Sequence, residues 1–145
     1  MRRKFIYLFL LLTLPSLAQE NLPEGEFKSP LKIPLVLAGT FGELRSNHFH
    51  SGVDIKTQFQ EGKEVVATAS GYISRIKVER YGYGKSIYIQ HPNGYTSVYG
   101  HLSKYAPEIE KYVRDRQYKK ESYAIEIFPK ENELYFRWGT TTCTF

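Results

Sequence analysis

A chain of 145 residues with 41% hydrophobic and 15% aromatic side chains has material for one packed domain and little room for a second. Twelve tyrosines favour a β-rich core over disorder. The net charge of +5 falls to about +2 once Arg2, Arg3 and Lys4 are set aside with a leader, which removes most of the support for a nucleic-acid partner, and the single cysteine, Cys143, excludes a disulfide framework within the chain.

In chain order, residues 1–18 have the form of a signal peptide. A basic cluster precedes an apolar run over 5–14, then the small-residue pattern Ser16-Leu17-Ala18. The run is too short to cross a bilayer, so cleavage near Ala18 and export to the periplasm or beyond are expected. No cysteine follows Ala18, so no stable membrane anchor is expected. Residues 19–30, with Pro23, Gly25 and Pro30, read as an exposed arm, and the domain is expected over 31–136. Strand-type runs follow at 33–38, 64–69, 72–79, 86–90 and 95–99, with the spacing of a meandering sheet. The Asn93-Gly94 pair predicts a tight hairpin between the last two, with positive φ at both positions, and Tyr81-Gly82-Tyr83-Gly84 predicts a second reversal. From Pro107 the texture changes: a proline suited to the first turn, with Ile109, Tyr112 and Val113 on one face, predicts a helix of three turns. Residues 122–128 alternate as a strand that Pro129 stops, and a last short strand is expected over 133–136.

Four histidines carry the chemistry. His50 and Asp54 form an HxxxD pair whose imidazole and carboxylate both suit zinc, although a solvated loop pair has the same spacing. Gly52 between them argues against a helix and for a strand-to-loop segment where ligands converge. His101, at the end of a strand, fits a core histidine or a site residue equally. His91 at the hairpin turn is explained by a structural hydrogen bond. His48 shares strand parity with His50 and would imitate a second metal pair.

The ordered series Phe49-His50-Ser51-Gly52-Val53-Asp54-Ile55, Gly62 with Val65-Val66-Ala67, Gly71-Tyr72-Ile73, Gly82-Tyr83-Gly84, His91-Pro92-Asn93-Gly94-Tyr95 and Tyr99-Gly100-His101-Leu102 resembles the lysostaphin-type, or LytM-like, zinc endopeptidases. The resemblance covers 31 to about 103, and the helix-containing stretch at about 104–130 resembles an insertion of exported Bacteroidetes-type members. It implies a mainly β fold, an antiparallel core of the duplicated-hybrid-motif type with a short helical insertion. It further implies hydrolysis of peptidoglycan peptides, zinc as cofactor, His50 and Asp54 as metal ligands, and His101 as a catalytic histidine. His91 receives no catalytic role.

The family pattern continues to an HxH motif whose histidines are the third zinc ligand and a second catalytic group, and these 145 residues do not contain it. Residues 137–145 are therefore expected to be an aberrant tail from a reading frame interrupted near Arg137, leaving an exposed sheet edge and a chain without activity. The other expectation is a LytM-like module that binds peptidoglycan or regulates a partner wall hydrolase without catalysis.

Overall fold

The computed structural model describes residues 26–145. The expected leader and the start of the arm lie outside them. In chain order the described residues form β1 (Leu37–Gly39), β2 (Asp54–Ile55), β3 (Glu64–Val66), β4 (Gly71–Val78), β5 (Lys85–Gln90), β6 (Thr96–Tyr99), β7 (Lys104–Tyr105), α1 (Pro107–Lys120), β8 (Ile125–Ile127), β9 (Tyr135–Phe136) and β10 (Thr141–Thr144). Every pairing is antiparallel. This is the mainly β architecture with one short helix that the resemblance implies.

The largest sheet is the expected meander, β6-β5-β4, extended on the far edge of β4 by β8 and β9. Strict alternation along β4 would bury Ile73 or Ile76 but not both. A bulge between Ile73 and Arg75 resolves this, because one extra residue resets the phase. Ile73, Ile76 and Val78 are all buried, while Arg75 and Lys77 stay partly exposed. The β5–β6 turn differs from expectation. Only Gly94 has positive φ (86°), and His91 N–H donates to the Tyr95 carbonyl at 2.8 Å, so three residues rather than two span the reversal. The Asn93 side chain accepts from Tyr95 N–H at 3.1 Å, doing locally what a second left-handed residue would do.

α1 begins with Pro107 at its first turn, carries Glu108 and Glu110 there and Lys119 and Lys120 in the last turn, and ends on Glu121 in the left-handed conformation. It buries Ile109 and Val113 against a core shared with Ile73, Ile76, Ile87 and Ile89 of the large sheet. The strand expected over 122–128 is confined to Ile125–Ile127, whose two isoleucines face this core.

The described part of the arm, 26–29, is exposed, and it is tied to the domain by contacts: Lys28 N–H donates to Thr68, Val66 N–H donates to Pro30, and Phe27 packs edge-on against His91 at 5.1 Å. Residues 137–145, expected as an aberrant tail, pack into the domain. Thr141–Thr144 pairs with β3 on one side and β7 on the other as the central strand of a second sheet, with Thr142 and Cys143 buried. Its three β-branched threonines suit a pleated, two-sided position, and it covers one edge of β3.

Candidate metal centre

β1 and β2 form a separate two-stranded ribbon, and the chain between them folds out as a small hairpin. His50 is held on it from both sides: His50 N–H donates to the Glu43 carbonyl and Gly42 N–H to the His50 carbonyl, each at 2.8 Å. Leu44 and Phe49 form a bridge, and Arg45 N–H donates to the His48 carbonyl at 2.9 Å to close the tip. Asp54 opens β2, opposite Gly39. HxxxD therefore sits on the extended, non-helical backbone that Gly52 suggested.

The two side chains converge, with His50 Nε2 3.4 Å from Asp54 Oδ1. Two atoms each about 2.0–2.1 Å from a tetrahedral zinc lie roughly 3.3–3.4 Å apart, so this separation fits a shared metal. The other ring nitrogen supports the same reading. His50 Nδ1 lies 3.0 Å from the Thr40 carbonyl, which only accepts, so Nδ1 carries a proton and, in the neutral ring, Nε2 is the nitrogen whose lone pair faces Asp54. Arg45 Nη2 approaches that nitrogen at 3.4 Å, but two donors do not bond, and the Thr40 contact sets the tautomer. The guanidinium instead donates to Asp54 Oδ2 at 2.7 Å and leaves Oδ1 free.

This pair forms one wall of an open groove of about 620 Å³. Lys77, Glu79 and Tyr88 from β4, its end and β5 line it as well, together with Tyr83 and His101. Lys77 Nζ bonds Glu79 Oε2 at 2.6 Å and so holds the Glu79 carboxyl below the usual carboxylate range. His101 lies just past β6 with φ of 56°, in the left-handed region, and its N–H donates to the Tyr83 carbonyl at 2.8 Å. The Tyr83 ring meets the His101 imidazole edge-on at 6.0 Å, while its hydroxyl shares a hydrogen bond with Ser51 Oγ at 3.2 Å. Tyr83 thus joins the loop bearing His50 to the turn bearing His101.

All three candidate residues from the sequence line the same groove. His48 lines it too, but its Nδ1 is taken by the Asn47 carboxamide at 2.6 Å, and among the described residues no group of three or more His, Cys, Asp or Glu side chains converges as a metal site. His91 is structural: buried, with Nδ1 on the Ser70 carbonyl and Nε2 on Ser97 Oγ, both at 2.9 Å. Sequence reasoning missed Arg45, Thr40 and Tyr83. Arg45 and Thr40 had no motif signal, whereas Tyr83 stood inside the glycine-flanked turn and the family-like series without being given a role in the site.

No helix among the described residues is long and apolar enough to cross a membrane. The model of peptidase family M23 matches residues 48–118, a stretch that includes His50, Asp54 and His101. Neither a curated protein nor a solved structure matches the chain. Members of family M23 are generally zinc-dependent, and the donor set found here suits that metal. With His50, Asp54 and His101 along one groove of an antiparallel β domain, the match over 48–118 supports a LytM-like domain of peptidase family M23.

Proposed function

We propose that this groove is the peptide-binding and metal-binding cleft of a cell-wall hydrolase, directed at the peptide cross-links of peptidoglycan, and that these 145 residues do not complete its catalytic set. The observation that carries the reading is the His50–Asp54 pair, spaced at 3.4 Å with the imidazole tautomer fixed by Thr40. His50 through Nε2 and Asp54 through Oδ1 would hold zinc. When bound at such a site, zinc polarises a carbonyl and brings the pKa of water to about 7. His101, which lines the same groove and is anchored by Tyr83, would carry a proton to or from the reacting group. Lys77 and Tyr88, which also line the groove, would contact the extended peptide.

Catalytic zinc sites ordinarily use three protein ligands, so two should hold the ion weakly and turn over little. A second reading, a non-catalytic module that binds wall peptides or regulates a partner hydrolase, is favoured by the groove itself. Its cations and tyrosine rings can hold a peptide without any chemistry. The test is zinc stoichiometry on the purified exported chain, together with turbidity loss and retention on peptidoglycan sacs, with and without a chelator. Zinc well below one per chain and no lysis are expected. Stoichiometric zinc with chelator-sensitive lysis would overturn the predicted inactivity. Retention on sacs without zinc would favour the binding module, and neither retention nor lysis would refute the wall-peptide reading.

A further inference from the structure

Arg45 reaches into the half-site at a cost. Its Nε is buried and has no hydrogen-bond partner, an arrangement that is unfavourable unless the rest of the guanidinium gains by it. The gain is at Nη2, which donates to Asp54 Oδ2 at 2.7 Å and approaches Glu43 Oε2 at 3.5 Å. The backbone makes room for this contact. A Cβ on Gly39 would lie 2.5 Å from Asp54 Oδ2 and would also collide with the Arg45 guanidinium, so only glycine leaves the pair intact. Gly39 does not have the positive φ that other positions need glycine for, and its absent side chain is explained by this close approach alone.

We propose that Arg45, accommodated by Gly39, is a positioning residue that makes Asp54 a one-oxygen metal ligand. The inference rests on the metal reading of the groove. The Asp54 carboxylate is partly exposed and, unclamped, is free to rotate about its two side-chain torsions. With Oδ2 occupied by Arg45, Oδ1 alone remains directed toward His50 Nε2. A cation so near a metal site also repels the metal, and the two effects have opposite signs. Orientation is the larger here because the arginine charge is already shared with Asp54 and Glu43, and loss of a group that orients a ligand typically weakens metal binding by about 10–100-fold.

The experiment is titration of the purified chain with Co²⁺, competed against a chromophoric chelator and followed by the visible cobalt spectrum, for the wild type, His50→Ala, Arg45→Ala, Arg45→Gln and Gly39→Ala. Circular dichroism of each metal-free variant verifies folding. Arg45→Ala and Gly39→Ala are expected to weaken Co²⁺ binding by about 10–100-fold and to alter the spectrum. Arg45→Gln, which keeps an N–H donor without the charge, is expected to recover most of the affinity. Unchanged or tighter binding by Arg45→Ala overturns the proposal while leaving the metal reading intact. Failure of Arg45→Gln to recover any affinity also overturns positioning by hydrogen bond. If the wild type shows no binding that His50→Ala removes, the metal reading falls, and this inference falls with it.

Discussion

Deleting residues 138–145 should abolish cooperative folding. The segment is bound into the domain by backbone hydrogen bonds from Ala67 to Thr140, Ala106 to Thr142, Ser103 to Thr144 and Gly62 to Phe145, and from Phe145 back to Lys63. At about 1 kcal/mol net each, these five bonds amount to roughly 5 kcal/mol. Burial adds to this, since Thr142 and Cys143 are 0% and 1% exposed, and their removal uncovers Val65 and Tyr105, themselves 0% and 2% exposed. A domain of this size has about 5–15 kcal/mol in all, so the loss consumes most or all of it. The measurement is urea unfolding followed by near- and far-ultraviolet circular dichroism, because Trp138 is removed with the segment. The shortened chain is expected to show no sigmoidal transition. Cys143→Asp, which keeps the length but buries an unpaired carboxylate in the middle of β10, should cost at least about 3 kcal/mol. A shortened chain with a cooperative transition within about 0.5 M urea of the parent midpoint would refute the assignment of β10 as a structural strand.

Tyr99 is buried, and its hydroxyl meets Thr68 N–H and Thr68 Oγ1 at 2.9 Å and Ser97 Oγ at 3.1 Å, the last continuing to His91. Tyr99→Phe leaves these groups without their common partner and should cost about 1–3 kcal/mol in urea unfolding; an unchanged midpoint would show that other partners replace it. Alkaline stability should report on Cys143, whose thiol burial pushes up from 9.0 to about 12. The native thiol stays protonated where the unfolded one ionises, so stability is intact below about pH 9 and declines toward pH 12, by up to about 1.4 kcal/mol per unit from this group. Burial also raises Tyr105, so some decline should remain in Cys143→Ala, but with a shallower slope; equal slopes would remove Cys143 as a cause.

The meander was legible because strand-type runs are separated by punctuating turns. Ile87 and Ile89 alternate along β5, and Pro92-Asn93-Gly94 separates β5 from β6. β2 and β7 are two residues long, too short for any periodicity to register. β10 failed for a different reason. Thr141, Thr142, Cys143 and Thr144 show no alternation of apolar and polar side chains, because buried Thr142 satisfies its hydroxyl on the Val65 carbonyl at 3.2 Å and so behaves as an interior residue. Hydropathy could not reveal a polar residue whose cost is removed by a partner 77 positions earlier in the chain.

The candidate site divides along the same line. His50, Asp54 and His101 were picked out by the family-like series in which they stand, and all three line one groove, whereas their types and spacing alone left a solvated loop pair and a core histidine open. Arg45, Thr40 and Gly39 act through geometry that a linear pattern does not encode: a carbonyl ten residues before His50, a guanidinium nine residues before Asp54, and a missing Cβ on the paired strand. Each is unremarkable in type, and only their meeting gives them a role. The Thr40 carbonyl decides which nitrogen of His50 is free, and Arg45 decides which oxygen of Asp54 is free. The 3.4 Å gap between Nε2 and Oδ1 is thus the product of two contacts on the far sides of the pair. Disturbing either contact should change metal affinity without touching a ligand, which separates the positioning of the pair from its capacity to bind a metal.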